Sequence, residues 1–306
     1  MRPGRDPADG LIGMAGLRGR RGAWCHRSSG DAIEADSVSC RRATRTATMT
    51  LQADSAELQR QYGDTQRLVQ RKSLHAKYGR GDWYPWLRAQ VPLAADMRVA
   101  DIGCGTGQLW GALAGQWPPS LAVQLLDRSP AMVAAALAQA AALRPRGVVG
   151  DAMRLPLRDA SIDAALAVHM LYHLPDPHAG VRELRRIVRP GAAVLAVLNG
   201  RDNMRQLAQL VAGVAGGPDR DPSTLRLDAE AGARLFAMHF AQVRVARFDD
   251  VLVCTDPEDV MAYLQSLPLP PQAHASALRQ AVEAAFAHGD GALRIDKDVR
   301  AIVATA

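Results

Sequence analysis

The segment Val99-Ala100-Asp101-Ile102-Gly103-Cys104-Gly105-Thr106-Gly107-Gln108-Leu109 constrains the fold more than any other part of the chain. A short apolar run, typical of a buried strand, feeds a loop with glycine at every second position, and a helix-compatible stretch follows. Glycine is needed where backbone turns with positive φ and approaches a ligand closely. A dinucleotide-binding loop spaces its glycines as Gly-x-Gly-x-x-Gly and so seats a pyrophosphate on the helix N-terminus. Here the spacing is Gly-x-Gly-x-Gly, and an acid, Asp101, precedes the first glycine. A carboxylate at that place opposes an anion and suits a ligand that carries an ammonium group.

From Met97 onward, strand and helix signals alternate, which predicts βαβ units and a parallel sheet. Strands are expected at Met97 to Ile102, Ala122 to Leu126, Gly147 to Val149, Ile162 to Val168 and Ala193 to Leu198. Helices are expected at Gln108 to Gly115, Ala131 to Leu143 and His178 to Val188, with Pro190 and Gly191 ending the last of these and turning the chain into the fifth strand. Beyond Gly200 come an insertion rich in Leu and Ala, a strand-like stretch Val243 to Cys254, helices from Pro257 to Leu267 and Ala273 to His288, and a closing β segment Leu293 to Ala304. Ahead of the sheet, Ala53 to Gln70 and Gly81 to Val91 read as helices.

Two further acids follow the glycine loop in register with the strands. Asp127 ends the second strand, where an open α/β sheet places a carboxylate that accepts bonds from ribose hydroxyls. Asp151, in Gly150-Asp151-Ala152-Met153-Arg154-Leu155-Pro156, ends the third and is suited to an exocyclic amine. Each alone reads as a turn or cap acid. In this order and spacing, all three converge on the crevice at the carboxyl ends of the strands.

This series resembles the class I S-adenosylmethionine-dependent methyltransferases, in particular the ubiquinone/menaquinone-type small-molecule branch with a type 11 methyltransferase domain. The likeness runs from about Arg71 to Gly200 and includes Asp163-Ala164-Ala165-Leu166-Ala167-Val168-His169-Met170-Leu171-Tyr172-His173-Leu174-Pro175-Asp176 and the corner Leu184-Arg185-Arg186-Ile187-Val188-Arg189-Pro190-Gly191. It implies a Rossmann-like sheet of seven mostly parallel strands with the last antiparallel, helices on both faces and an N-terminal helical cap. The cofactor it implies is S-adenosyl-L-methionine. Asp101, Gly103, Cys104, Gly105 and Gly107 would hold the methionine part, Asp127 and Arg128 the ribose side, Asp151, Ala152 and Met153 the adenine, and His169 would line the pocket. Arg71, Tyr78, Trp83 and Trp86 would form a cap over the donor. The insertion Asp202 to Arg234 would supply another substrate wall. The corresponding division is a tail at 1–48, a cap at 49–92, a cofactor-binding core at 93–200 and a closing segment at 201–306.

Methyl transfer from a sulfonium is an in-line displacement with an activated donor, so the main demand on the protein is positioning. Where the acceptor is an alcohol, phenol or amine, a general base assists, and His169 and His173 are the candidates. Their His-x-x-x-His spacing also suits a metal, but a third ligand and a zincin glutamate are missing, so no metal is expected. Cys104 has no neighbouring cation in sequence that favours a thiolate, and small size accounts for it.

Charge excludes more than it suggests. The net charge is +6, yet nine arginines against five acids before Met49 give a surplus of four, leaving only +2 for the rest. A body so close to neutral lacks the footprint of nucleic-acid binding, and no nucleic acid is expected as partner. The basic front reads as a disordered tail, with Met49 as an alternative start. Four scattered cysteines without a Cys-x-x-Cys pair fit a reducing, cytoplasmic setting. No apolar run is long enough to span a membrane. The expected activity is thus methyl transfer to an O, N, C or S atom of a small molecule. Methylation of nucleic acid or protein is the alternative, as is a catalytically inactive cofactor-binding regulator; an NAD-dependent oxidoreductase requires the wider glycine spacing.

Overall fold

The computed structural model describes residues 73–79, 81–267 and 274–306. The expected tail, the helix expected at Ala53 to Gln70 and the cap residue Arg71 lie outside these residues. Nine strands are present among the described residues: β1 (Arg98–Ile102), β2 (Ala122–Asp127), β3 (Arg146–Val149), β4 (Ile162–Val168), β5 (Val188–Asn199), β6 (Gln242–Phe248), β7 (Val251–Cys254), β8 (Leu293–Asp296) and β9 (Val299–Thr305). Helices α1 (Trp83–Ala89), α2 (Gln108–Ala112), α3 (Pro130–Gln139), α4 (Pro177–Ile187), α5 (Arg205–Ala215), α6 (Pro222–Arg226), α7 (Ala229–Ala237), α8 (Pro257–Ser266) and α9 (Ala275–His288) connect them, and residues 73–78 are also helical.

Seven strands form one sheet in the order β3-β2-β1-β4-β5-β9-β6. The pairs from β3 to β5 are parallel, while β9 runs antiparallel to both β5 and β6. This is the expected architecture. Its near-continuous apolar strands follow from burial on both faces. In β4, Ala165 and Ala167 join one core layer and Ala164 and Leu166 the other; in β5, Val194 and Ala196 face one way and Leu195 and Val197 the opposite way. Helices α4 and α7 bury Val181, Leu184, Leu235 and Phe236 in the first layer, and α1 to α3 bury Leu87, Trp110 and Ala136 in the second. The helices start where side chains satisfy free N–H groups. Ser129 Oγ accepts from the Met132 N–H at 3.4 Å and Asp176 Oδ1 from the Ala179 N–H at 3.1 Å, each followed by proline at the first helical position.

Four expectations about the elements are corrected. Pro190 and Gly191 do not form a corner before the fifth strand: β5 begins at Val188, and the two residues sit inside it at a bulge. There Val188 pairs with Ile162, the register shifts, and Gly191, at φ +78°, donates to the Ala306 carbonyl at 2.9 Å. The single β stretch expected at Val243 to Cys254 is two strands in different sheets, β6 and β7, and that at Leu293 to Ala304 is likewise β8 and β9. The helix expected at Ala131 to Leu143 ends at Gln139 and continues as a separate 3-10 turn, Ala141–Leu143.

The split strands create a small lobe. β7 and β8 pair antiparallel and, with α5, α8, α9 and residues 73–78, enclose a core of their own around Leu74, Leu207, Leu252, Val260, Val282 and Ile295. The chain passes between sheet and lobe several times, and the three crossings after β5, after β6 and before β9 bond to one another. The Gly200 N–H donates to the Asp298 carbonyl at 2.6 Å, the Asp298 N–H to Asn203 Oδ1 at 3.0 Å, and the Met204 N–H to the Asp296 carbonyl at 2.9 Å. All three crossings lie at the carboxyl edge of the parallel strands, the edge that carries the glycine loop.

Candidate functional site

Strand order reverses between β1 and β4, so the helices after these strands lie on opposite faces and leave a crevice at their carboxyl ends. The glycine loop lines it. Gly103, Gly105 and Gly107 all have positive φ, at 69°, 53° and 73°. At Gly107 a Cβ would also lie 2.7 Å from Ala136 Cα, so glycine is required there both for the turn and for the contact between loop and α3.

Asp101 lies beneath this loop at 3% exposure. Its Oδ2 accepts from Trp110 Nε1 at 2.8 Å, while Oδ1 is buried and has no hydrogen-bond partner among the described residues. Burial pushes its carboxyl up to about 7, against the Trp110 hydrogen bond and with help from the charge of Asp127. A buried carboxylate oxygen with nothing to accept calls for a donor, preferably cationic. The ammonium of an amino-acid moiety is such a donor, so the residues present fit the methionine part of S-adenosylmethionine.

Asp127 is brought against the same loop. Its Oδ2 accepts from the Gly105 N–H at 3.0 Å and its Oδ1 from the Ser129 N–H at 2.9 Å, which fixes the side chain at the end of β2 with lone pairs to spare. The end of β3 is joined to it, since the Gly150 N–H donates to the Asp127 carbonyl at 3.0 Å. Asp151 there is exposed and accepts from the Met153 N–H at 2.8 Å, with Ala152 and Met153 half-buried. Arg128 is exposed beside Asp127. Thus Asp101, Asp127 and Asp151 occupy the ends of three adjacent strands.

His169 ends β4 with φ +55°, a conformation strained for a residue with Cβ, and its N–H donates to the Val197 carbonyl at 3.1 Å. Burial, with the charges of Lys297 and His173, lowers the imidazole to about 4, so it is neutral at pH 7. His173 ends a 3-10 turn, Leu171–His173, and packs edge-on against Tyr172 with 4.5 Å between ring centroids. Cys104 is half-buried, and burial raises its thiol strongly, so it is no thiolate at neutral pH.

Of the expected cap, α1 brings two residues to the crevice. The Trp83 ring lies 5.8 Å from His169, stacks on Trp86 at 5.5 Å and meets Phe248 at 5.1 Å. Tyr84 ties the same helix to the glycine loop by donating to Gln108 Oε1 at 3.0 Å. Tyr78 goes elsewhere: its hydroxyl donates to Asp259 Oδ2 at 2.6 Å, within the lobe. Sequence reasoning missed Phe248, Asp250 and Lys297, which gather with His75, a member of the aromatic segment ahead of the sheet. Lys297 Nζ donates to Asp250 Oδ2 at 2.9 Å and stands 5.3 Å from the Phe248 ring centroid. Trp110 was legible in principle as an aromatic N–H on the helix that opens at Gly107.

A depression of about 350 Å³, lined by Asp159, Arg182, Arg185, Arg186 and His239 among others, lies at the amino ends of β4 and β5, the edge opposite the crevice. Arg186 is engaged there with Asp159 and Glu183 at 2.6 and 2.7 Å, so we read that place as structural. Among the described residues there is no cluster of His, Cys, Asp and Glu able to hold a metal ion, and no helix long and apolar enough to cross a membrane.

Residues 100–196 match the family model described as a methyltransferase domain. An uncharacterised methyltransferase of Mycobacterium tuberculosis is 37% identical over 136 residues, 43% of this chain and 53% of that protein. A demethylmenaquinone methyltransferase of Roseiflexus castenholzii is 39% identical over 112 residues, 36% and 47% of the respective lengths. The chain therefore spans about half the length of these curated relatives. The crystal structure of the YcgJ protein of Bacillus subtilis aligns with a TM-score of 0.53 at 18% identity, covering 72% of this chain and 97% of that one, which shows the shared fold.

Proposed function

We propose that this chain, which carries a class I methyltransferase domain with a Rossmann-like sheet, transfers the methyl group of S-adenosylmethionine to a small-molecule acceptor. The observation that carries the reading is Asp101: a carboxylate buried under a glycine loop, one oxygen unpartnered, beside Asp127 and Asp151 on adjacent strand ends. In this reading residues 93–200 hold the donor, Asp101 the ammonium, Asp127 the ribose hydroxyls, and Asp151, Ala152 and Met153 the adenine. The donor supplies a methyl group already activated on a sulfonium sulfur. The chain's own task is to hold the acceptor in line with it and to keep water out.

Residues 201–306 and α1 then form the acceptor side. His169 is neutral at pH 7 and, with a value of about 4, is a weak base, so its contribution is shape and a hydrogen bond rather than bulk proton removal. One relative is named a demethylmenaquinone methyltransferase, and the aromatic wall of Trp83, Trp86 and Phe248 suits an acceptor with a ring to stack.

Calorimetric titration with S-adenosylhomocysteine, beside NAD as a control, tests the reading. Micromolar affinity for the former and none for NAD is expected, and the converse overturns it. Asp127→Ala should still fold, with a lowered melting temperature from the loss of its bonds to the Gly105 and Ser129 N–H groups, and lose about tenfold in affinity for S-adenosylhomocysteine, the worth of a hydrogen bond to a charged group; unchanged affinity would remove the ribose from Asp127.

A further inference from the structure

Lys297 is a buried cation on the ligand edge of the sheet that donor binding does not use. It follows β8 at the crossing back to β9, its side chain is 10% exposed, and its Nζ lies 2.9 Å from Asp250 Oδ2, itself 2% exposed, on the crossing from β6 to β7. Lysine has three donors, and Asp250 takes one of them. Nζ also sits 5.3 Å from the ring of Phe248, which meets Trp83, whose ring in turn lies against His169. A line of contacts thus leads from the ammonium to the end of β4 beside the glycine loop.

The surroundings are built closely. At Gly79 a Cβ would lie 3.2 Å from Asp250 Oδ2, and at Gly81 one would overlap the Phe248 ring at 2.5 Å. His75, on the helical stretch 73–78, faces the same cluster, and its Nδ1 is buried with no hydrogen-bond partner among the described residues. Among the described residues, the charged and titratable groups around Lys297 are Asp250, His75, His169 and, beyond His169, His173; next to it in the chain, Asp298 is held by Arg300 at 2.9 Å. Burial together with Lys297 keeps both His75 and His169 uncharged at neutral pH, so among the described residues Lys297 is the cation of the group. An aromatic wall, one fixed cation and one unsatisfied imidazole nitrogen describe a subsite for a planar molecule that bears an ionisable oxygen.

We propose that Lys297, held by Asp250 and flanked by Phe248, Trp83 and His75, forms the acceptor subsite and selects a planar phenol or enol, which it binds as the oxyanion. This rests on the methyltransferase reading. The acceptor's proton passes to solvent when it ionises in the site. Its oxyanion lone pair then forms the new O–C bond while the C–S bond of the donor breaks and that electron pair returns to sulfur. An anion and a sulfonium become two neutral products, and no protein base has to hold the proton. Lys297 is accordingly a specificity residue for the acceptor.

The test is a spectrophotometric pH titration of 4-nitrophenol, whose phenolate is coloured, bound to the full chain saturated with S-adenosylhomocysteine. The bound phenol should titrate about one unit lower than the free one, a tenfold preference for the anion, the effect expected of one opposite charge close by. Lys297→Met should abolish that shift with S-adenosylhomocysteine affinity within about twofold of the original, and Lys297→Arg should retain it. An unshifted or raised value, no binding of 4-nitrophenol at millimolar concentration, or equal competition by the neutral 4-nitroanisole overturns the proposal. The first titration uses the unaltered chain, so its outcome decides the proposal even if Lys297→Met does not fold. Failure of S-adenosylhomocysteine to bind would strike the methyltransferase reading instead.

Discussion

The sheet edge around the glycine loop and the lobe behind it solve the same problem by different means. At the loop, each functional group stands within a few residues of the strand that positions it: Asp101 lies inside β1, Asp127 ends β2, Asp151 follows β3 and His169 follows β4. In the lobe, the polar groups meet across long stretches of chain, Lys297 with Asp250 and Tyr78 with Asp259. In the proposed reading, local geometry therefore builds the donor side, and tertiary closure builds the acceptor side. The difference implies that the first tolerates change in the lobe, while the second depends on every crossing being in place.

The largest expected effect breaks the loop. Gly107→Val places a branched side chain at positive φ against the Ala136 backbone, which should cost about 3 kcal/mol of stability and abolish measurable S-adenosylhomocysteine binding; a variant with normal melting and normal binding would show that the loop is not held against α3. Next is the junction. Asp250→Ala leaves the Lys297 ammonium buried without that partner and should destabilise by about 3 kcal/mol, read by denaturant unfolding. If instead the loop and lobe are as separable as their construction suggests, whatever remains folded will still bind S-adenosylhomocysteine with unaltered affinity.

The smallest effect concerns pH. The Asp101 carboxyl is at about 7 in the fold and near 3.8 when unfolded, so the folded state binds the extra proton and stability falls as pH rises from about 4 through about 7. His75 and His169, lowered to about 3 and about 4, act oppositely: their contribution is full above about 6.5 and is lost as pH falls. Between about pH 4 and 6.5 the two imidazoles outweigh the one carboxyl, so without ligand these three groups should make stability fall on the acid side and hold nearly level above about 6.5. Asp101→Asn should turn that level stretch into a rise of stability from pH 6 through 7 to 8 in melting curves, and weaken S-adenosylhomocysteine binding; a profile that stays level would mean that Asp101 does not offset the imidazoles.

The two sides also differed in how far the sequence revealed them. Ile162–Val168 was expected as a strand and is one, because an apolar run buried on both faces has a length and boundary of its own. The glycine spacing located the positive-φ loop after β1 for the same reason: φ and close approach are local demands. By contrast, Val243 to Cys254 read as one strand, since nothing in its apolar residues marks the passage from one sheet to another at Asp249 and Asp250. Lys297 and Asp250 are 47 positions apart, and each alone resembles a surface charge. Tyr78 was expected over the donor by its closeness in sequence to Trp83, but Asp259, on α8, holds it in the lobe.

The place of β9 has a consequence for how the molecule is made. This strand, last in chain order, lies between β5 and β6, pairing with both along its whole length, from Ala193 to Asn199 on one side and Gln242 to Phe248 on the other. During synthesis β5 and β6 emerge with an open slot between them, and neither can close the sheet without it. A nascent chain halted before Val299 presents two unpaired strand edges, the surface most prone to pair with a neighbour. Translation of β9 is thus the step that converts an association-prone intermediate into a closed sheet, and its pairing also anchors the crossing that carries Lys297.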